Sequence, residues 1–474
     1  MSIFKRFWVF LLLEATNFMV KNLFCQFKYC IFAAANNRLA NLIKPCIMRC
    51  LSVIMCLVVT MLSAPLSAQY ERQVVKRDFQ DYYRNANYDE ALVPDYELPD
   101  PLLCLDGTRV QTAEAWEQHR RPELLSLLTE YMYGRAPEPD ATFRWDVVST
   151  DTQFRDGRAT RRDVLLHLTS DGPDVPLCIV VPNDPSRPLS SADGRAGCPV
   201  FVGISFVAND SVWLSPKASA SWMPDTLLAH GYGLVTLHYT DAELDKASDH
   251  FRSSRLHRHY YQASQQSPLP DEWGAVACWA WTLSRVMDYL EHDALVDDSR
   301  VALIGHSRLG KTVLWAGAID ERFRVVIPVN SGCCGAALSR RCVGETVECV
   351  NEFSYQWFCG NFRQFSHREN EMPFDQHEVI SLIAPRPVYI ASAQDDNWSD
   401  QRGEFLGALG AAPVYALYGL PGIADSTGLT LSQMPAVDAP AASGYIGYHI
   451  RTGPHAVLPY DWQQFIAFAD RFLK

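Results

Sequence analysis

From Val301 to Gly310 the chain has the sequence VALIGHSRLG, and this stretch is more informative about the fold than any other. An apolar run ends at a glycine, a serine follows two residues later, and residues 311–319 then suit a helix. This order predicts a strand, a sharp turn and a helix, with the Ser307 hydroxyl exposed at the bend. Such turns usually have the pattern G-x-S-x-G, whereas here Leu309 occupies the second glycine position and Gly310 comes one residue late. Taken alone, the six residues 305–310 fit an ordinary loop between a strand and a helix equally well.

The order of residues further along the chain favours a nucleophilic serine. In the α/β-hydrolase fold the catalytic residues follow one another as serine, acid and histidine. The apolar run 387–391 is followed by Asp395 and Asp396, and the run 413–418, predicted as a last strand, precedes a loop that contains His455. A serine needs a base such as histidine to remove its proton, because its free hydroxyl is a weak nucleophile. We therefore predict Ser307 as nucleophile, Asp395 or Asp396 as acid, and His455 as base, with His449 as its nearest competitor.

Apolar and amphipathic segments alternate through most of the chain. We predict strands at 163–168, 176–181, 199–204, 234–239, 301–304, 325–329, 388–391 and 414–418. We predict helices at 121–133, 272–291, 308–319, 378–383, 403–409 and 460–472, and a long loop at 419–444. Alternating strands and helices indicate a mostly parallel sheet with helices on both faces. The fold class predicted is therefore α/β, of the α/β-hydrolase type, with early strands that pair as hairpins and with a site at the carboxyl ends of the parallel strands.

The N-terminal region has the pattern of a signal peptide. Arg49 supplies a short basic region, Leu51 to Leu62 form an apolar run, and the small residues of 63–68 follow. The run is short for a membrane span, and Met48 is a plausible true start. We predict a signal-peptide region at 1–68, a lead segment at 69–100 and one catalytic domain at 101–474. The mature chain is then expected to be secreted or periplasmic, not inserted in a membrane, and monomeric.

Composition excludes several classes of protein. Of the 474 residues 48% are hydrophobic, which is typical of a chain with a large core and not of a disordered one. The net charge of −12 becomes about −18 once residues 1–68, with seven basic residues and one acidic residue, are removed. An acidic chain without a basic run is not expected to bind nucleic acid or an anionic membrane. The nine cysteines after residue 68 lack C-x-x-C spacing, which argues against a zinc site and favours one or two disulfides or buried thiols.

Several motifs taken together resemble the glucuronoyl esterases, a family of carbohydrate esterases. The resemblance covers most of residues 100–474, and its most specific blocks are the serine turn with its lysine, Pro-Phe-Asp-Gln-His at 373–377 and Ala-Pro-Arg-Pro at 384–387. Further blocks are Asp-Glu-Trp-Gly at 271–274, Asn-Ser-Gly-Cys at 330–333 and Gly-Tyr-His-Ile-Arg at 447–451. The resemblance implies an α/β-hydrolase that cleaves the ester between 4-O-methyl-glucuronic acid on xylan and lignin alcohols. It also implies that no metal and no organic cofactor are needed.

The resemblance assigns further residues to the site. It implies that Arg308 stabilises the oxyanion, which a fixed donor beside the nucleophile can do. It also implies that Lys311, Glu345 and Trp398 bind the glucuronoyl sugar. Many family members carry a glutamate where this chain has Asn330, whereas some bacterial members place the acid after the later strand. The resemblance to these members implies Asp396 as the acid, with Asp395 as the alternative.

Two other functions remain open at this point. One is a different esterase on the same fold, such as a deacetylase of xylan, which would share the catalytic residues but not need a sugar wall. The other is a glycan-binding protein without activity, which the asparagine at position 330 makes conceivable.

Overall fold

A computed structural model of the chain describes residues 78–183, 197–246, 251–424 and 432–474. The predicted signal peptide at 1–68 lies outside these ranges. Residues Asp78–Lys474 form one compact unit.

A mixed sheet of nine strands runs through this unit, in the order β1-β2-β3-β5-β4-β6-β7-β8-β9. The first three strands pair antiparallel as two hairpins, and β3 pairs antiparallel with β5. All later neighbours are parallel. The strands are β1 (Arg144–Phe154), β2 (Ala159–His167), β3 (Asp174–Pro182), β4 (Cys198–Ser205), β5 (Gly233–His238), β6 (Val296–His306), β7 (Val325–Val329), β8 (Val388–Ala393) and β9 (Ile446–Arg451).

Helices cover both faces of the sheet. The helices are α1 (Phe79–Asn85), α2 (Arg121–Leu128), α3 (Asn209–Leu214), α4 (Pro216–Trp222), α5 (Pro224–Ala229), α6 (Tyr239–Ala242), α7 (Arg255–Tyr260), α8 (Ala275–Leu290), α9 (Arg308–Ile319), α10 (Val347–Phe353), α11 (Gln376–Ser381), α12 (Gln401–Leu417) and α13 (Pro459–Leu473). Short helical turns flank α2 at Ala113–Ala115, Trp116–Arg120 and Thr129–Tyr133, and others lie at Glu90–Leu92, Ser339–Arg341, Gly360–Phe365, Glu369–Glu371 and Asn397–Ser399. In these ranges no helix is long and apolar enough to cross a membrane.

Alternation along the central strands builds a separate core on each face. On β6, Val301 and Leu303 belong to the core that also contains residues of α8, α9 and α12. Ala302 and Ile304 belong to the other core, which contains Trp462 and Phe465 of α13 and residues of α3 and α5. Successive side chains of a strand point to opposite faces, so a continuous apolar run such as 301–304 is buried on both sides. The sheet order and this layering confirm the predicted α/β-hydrolase fold.

The late part of the chain differs from the prediction in one element. Residues 414–418, predicted as a strand, lie mainly in α12, and Pro413 is inside that helix. The last strand is β9, Ile446–Arg451, and it leads directly into the loop of His455. The prediction of a strand at 414–418 was therefore wrong, because a short buried apolar run has the same pattern in a helix and in a strand.

The turn between β6 and α9 has the geometry that the sequence predicts. Ser307 has φ 60° and ψ −129°, a conformation rarely adopted by a residue with a side chain. A Cβ on Gly305 would lie 2.2 Å from the carbonyl oxygen of Leu309, and one on Gly310 would lie 2.9 Å from Cβ of Ser331. Leu309 itself is fully buried in the core. The glycine needed for close approach therefore falls at 310, which explains the displaced glycine of the motif.

We predict that Gly305→Ala lowers the free energy of unfolding by about 3 kcal/mol, because backbone atoms of the turn would have to move to admit the new methyl group. Chemical denaturation monitored by circular dichroism measures this change. Gly107→Ala is the matched control: its Cβ would meet nothing within 4 Å, so only its φ of 85° would be strained. An equal loss in both variants would show that the turn tolerates a side chain at 305.

Candidate active site

All seven predicted site residues line one cavity of about 290 Å³ beyond the carboxyl ends of the parallel strands. Ser307, Arg308 and Lys311 come from the start of α9, and Asp396 and Trp398 come from the loop after β8. His455 comes from the loop after β9, and Glu345 comes from the loop that precedes α10. Residues from four separate parts of the chain thus converge where ligands bind in sheets of this kind.

His455 and Asp396 form a direct pair. Nδ1 of His455 lies 2.6 Å from Oδ2 of Asp396, a buried carboxylate, so the ring donates to the acid. Burial alone would raise the pKa of Asp396, but the hydrogen bond from His455 and its charge outweigh it and keep that pKa below the usual value. Asp395 is exposed, and its backbone N–H donates to the carbonyl of Gly453. Of the two neighbouring acids, the geometry therefore favours Asp396.

Nδ1 of His455 is engaged by the acid, which leaves Nε2 for the reaction. Among the described residues no hydrogen bond joins the Ser307 hydroxyl to His455. Catalytic hydrogen bonds are commonly long before substrate binds.

Asn330 supports the acid. Its Nδ2 donates to Oδ2 of Asp396 over 3.2 Å, and its backbone has φ 46°. Asp396 Oδ2 therefore accepts from both His455 and Asn330. In the sequence, Asn330 stands out only because many family members carry a glutamate at this position. In the structure, the side chain of Asn330 contacts Asp396 and orients its carboxylate.

The competing histidines are placed differently. His449 lies in β9, fully buried, with one ring nitrogen 2.8 Å from Asp461 and the other 2.9 Å from the hydroxyl of Tyr389. The ring of His306 packs on that of His455 with centroids 4.4 Å apart. Burial, and then the neighbouring His455, lower the pKa of His306 to about 3. So weak a base cannot hold a proton near neutral pH, and of these histidines His455 is the one whose position suits a catalytic base.

Arg308 is held in place by groups on three sides. Its guanidinium forms an ion pair with Asp245 and lies over the rings of Trp357 and Phe206, at 5.0 Å and 5.6 Å. Asp245 also accepts hydrogen bonds of 2.8 Å from Gln356 and Trp357. Among the described residues Nε of Arg308 has no hydrogen-bond partner although it is buried. An unused donor beside the nucleophile is suited to stabilising an oxyanion.

Lys311 is buried, with 3% of its surface exposed, and its ammonium group is fully coordinated. Nζ donates to the carbonyls of Ser331 and Cys333 over 2.7 Å and 2.6 Å, and to Oε2 of Glu345 over 2.7 Å. An ammonium has three donors, and all three are used here. Burial disfavours the charge, but the carboxylate of Glu345 overcomes this and raises the pKa of Lys311. Lys311 therefore fixes the position of Glu345 in the cavity wall.

Three aromatic residues of the cavity, Phe79, Tyr83 and Trp357, were not predicted. Phe79 and Tyr83 of α1 line it together with Trp398, and their ring centroids lie 5.7 Å and 5.0 Å from that of Trp398. They belong to the acidic, tyrosine-rich lead segment, far from the motifs in the chain. A contact across more than 300 residues leaves no spacing signal, and only the clustering of aromatic residues hinted at it.

One buried cluster has side chains of the type that bind metals. The ligand atoms of Glu243, His257 and Cys278 lie within 4.8 Å of one another. However, one ring nitrogen of His257 lies 2.8 Å from Glu243, and the other lies 3.0 Å from the carbonyl of Trp273. Both nitrogens are engaged, so this cluster is a hydrogen-bonded part of the core.

The described residues include nine cysteines, and no disulfide joins them. Eight are buried and Cys342 is partly exposed. The sequence left open whether these cysteines form disulfides or stay as buried thiols, and in the structure they are thiols.

The strand order, the strained serine turn and the cavity beside it define an α/β-hydrolase. Comparisons with known proteins narrow the class. A family model described as fungal glucuronyl esterase matches residues 216–419. A carbohydrate esterase from an unknown prokaryotic organism is 39% identical over 423 residues, which is 82% of this chain and 93% of that protein. A 4-O-methyl-glucuronoyl methylesterase from Schizophyllum commune is 28% identical over 68% of this chain and 74% of its own length.

Solved structures give the same result. A glucuronoyl esterase from Solibacter usitatus has 38% identity and a TM-score of 0.73, covering 81% of this chain and all of that chain. A promiscuous esterase of carbohydrate esterase family 15, from a marine bacterial metagenome, has 37% identity and a TM-score of 0.73, covering 82% of this chain and all of its own. This chain therefore belongs to the glucuronoyl esterase family of carbohydrate esterases. It is a carboxylic ester hydrolase, and the resemblance noted in the sequence is confirmed.

We predict that Asp396→Asn lowers kcat by about 10²–10⁴-fold, because an amide cannot stabilise the imidazolium that His455 becomes. Asp395→Asn is the matched control, since it makes the same change on the exposed neighbour, and we expect it to stay within a few-fold of wild type. Steady-state hydrolysis of a chromogenic ester measures both. An inactive Asp395→Asn variant together with an active Asp396→Asn variant would show that Asp395, and not Asp396, is the catalytic acid.

Proposed function

We propose that this protein hydrolyses the ester that joins 4-O-methyl-glucuronic acid of glucuronoxylan to lignin alcohols. The observation that carries the proposal is that Ser307, His455 and Asp396 line the same cavity as Lys311, Glu345 and Trp398. Relatives named for glucuronoyl ester hydrolysis support it.

The reaction follows from the arrangement of the side chains. Ser307 Oγ attacks the ester carbonyl carbon while His455 takes its proton, and the carbonyl oxygen becomes an anion. We propose that the first backbone N–H of α9 and the guanidinium of Arg308 receive that anion. The imidazolium then protonates the departing alcohol, leaving an acyl-enzyme. Water, deprotonated by His455, releases glucuronate and restores the serine.

The charges of the site suit this chemistry. The substrate ester is neutral, whereas the transition state carries an oxyanion, so the Arg308 cation stabilises the transition state more than the ground state. Both cations are paired with a carboxylate, Lys311 with Glu345 and Arg308 with Asp245, and Arg308 directly follows the nucleophile in the chain. The pairing of Arg308 with Asp245 limits its attraction for the glucuronate product.

We assign sugar recognition to Glu345 and Trp398 in the wall of the cavity. Glu345 can accept hydrogen bonds from ring hydroxyls with the oxygen that Lys311 does not hold, and Trp398 offers an apolar ring face to the sugar. Lys311, with its three donors occupied, acts mainly by holding Glu345 in place.

The proposal also extends to where the enzyme acts. We propose that the chain is exported and acts as a monomer. The apolar run at 51–62 and the small residues after it support export.

We predict that Ser307→Ala lowers kcat for a glucuronate ester by about 10³-fold or more while the fold is retained. The wild-type enzyme should hydrolyse a methyl or benzyl ester of 4-O-methyl-glucuronate faster than it deacetylates xylan. Near-normal turnover by a folded Ser307→Ala protein would contradict a mechanism in which Ser307 is the nucleophile. Faster release of acetate from acetylated xylan would instead assign the protein as a xylan deacetylase.

We predict that Lys311→Ala raises KM for the glucuronate ester far more than KM for a simple acetate ester, because only the first presents ring hydroxyls to Glu345. Loss of the buried ammonium also leaves two backbone carbonyls and a carboxylate without a donor, so the melting temperature should fall. Glu345→Gln, which keeps the size of the side chain, separates the effects: it should raise KM for the sugar ester with a smaller loss of stability. Equal losses on both esters would show that Lys311 serves the oxyanion or the fold.

A further inference from the structure

We infer that the N-terminal arm, defined as residues 78–92, is part of the substrate site, and that Phe79 and Tyr83 bind the pyranose ring of the ester. The inference rests on the proposed function and extends it to a part of the chain that carries none of the family motifs.

The spacing of aromatic residues in α1 places them on one side of the helix. Phe79, Tyr82 and Tyr83 stand at positions i, i+3 and i+4, which are neighbours on a helix surface. All three rings lie against Trp398, with centroid distances of 5.7 Å, 6.3 Å and 5.0 Å. The arm is thus in contact with the residue proposed to stack on the sugar.

Of the three rings, that of Tyr82 attaches α1 to the domain, and those of Phe79 and Tyr83 remain exposed. Tyr82 is partly buried, packs on Phe353 at 5.7 Å and shares a hydrogen bond with the Thr346 hydroxyl. Phe79 and Tyr83 are 41% and 43% exposed, and both line the cavity of Ser307. Exposed aromatic rings that line a cavity beside the proposed nucleophile are typical of a binding surface.

Polar contacts fix the arm to the loop that carries Glu345. The backbone N–H of Gly344 donates to the carbonyl of Asn87 over 2.8 Å. Arg341, which is 2% exposed, donates to both carboxylate oxygens of Glu90 over 3.0 Å and 2.7 Å, and also to Asp400 over 2.8 Å. A bidentate pair of this kind fixes orientation as well as distance. The arm is therefore held in place before substrate arrives, which reduces the entropy lost on binding.

The chemistry of the surroundings selects a sugar as the ligand. A pyranose has hydroxyls around its edge and C–H groups on its faces. Glu345 at the base of the cavity can accept from the edge, while aromatic rings at the mouth pack on a face. Because the same cavity holds the nucleophile, a ring bound there is one attached to the reacting carbonyl.

Steady-state kinetics on two substrates test the inference. Phe79→Ala and Tyr83→Ala, singly and combined, should raise KM for the benzyl ester of 4-O-methyl-glucuronate by about tenfold in the double variant, with kcat little changed. Hydrolysis of p-nitrophenyl acetate, which has no sugar, should stay within twofold of wild type. Leu92→Ala is the matched control, an apolar residue of the same arm, 69% exposed, that does not line the cavity.

A second variant tests the anchoring without touching the cavity. Glu90→Gln removes one carboxylate from Arg341 and leaves Phe79 and Tyr83 intact. It should raise KM for the glucuronate ester in the same direction but less than the double variant, with the acetate ester unaffected.

The outcomes separate the inference from the proposed function. Wild-type preference for the glucuronate ester combined with an unchanged KM in the double variant would overturn the role of the arm alone. An equal rise of KM on both esters would also overturn it, because it would show a change in the shape of the site. A wild-type enzyme inactive on the glucuronate ester would overturn the proposed function and the inference together.

Discussion

Ser307 is held at φ 60° and ψ −129°, a conformation that costs a non-glycine residue on the order of 1–3 kcal/mol. The surrounding structure has to supply this energy. Gly305 lets the turn close on Leu309, and Gly310 lets α9 approach the end of β7 at Ser331. That close approach also sets the first turn of α9, and with it Arg308 and Lys311. Both cations line the same cavity as the nucleophile because the helix that carries them begins at this bend.

Buried charges organise the rest of the site. Lys311 connects the loop after β7, through two carbonyls, to Glu345. Asp396 receives donors from His455 and from Asn330. Removing one partner of such a pair is expensive because the other stays buried and uncompensated. Each loop of the site is thus fixed by a charge that belongs to another loop, and the cavity depends on all of them together.

Most of the central fold was predictable because strong local signals marked it. The runs at 301–304 and 325–329 are buried on both faces of the sheet, and the helix at 308–319 has the predicted bounds. Two strands, β1 and β9, were not predicted, and the reason differs between them. β1 is polar and largely exposed at the edge of the sheet, and β9 contains a glycine and a histidine within its six residues. The strand predicted at 414–418 was wrong because its apolar residues are buried in a helix instead. Residues of the site that belong to motifs could be named in advance, whereas the triple coordination of Lys311 and the contact of α1 with Trp398 depend on packing between distant segments.

The state of the cysteines bears on how the described part of the chain is stabilised. Burial raises the pKa of Cys178 and Cys342 to about 12 and that of Cys359 to about 11, so these thiols stay protonated and unreactive near neutral pH. The residues that the structure describes are held together by packing, hydrogen bonds and ion pairs, and no disulfide joins them. A reducing agent therefore has no disulfide to break among these residues, and we expect it to leave this part of the fold unchanged.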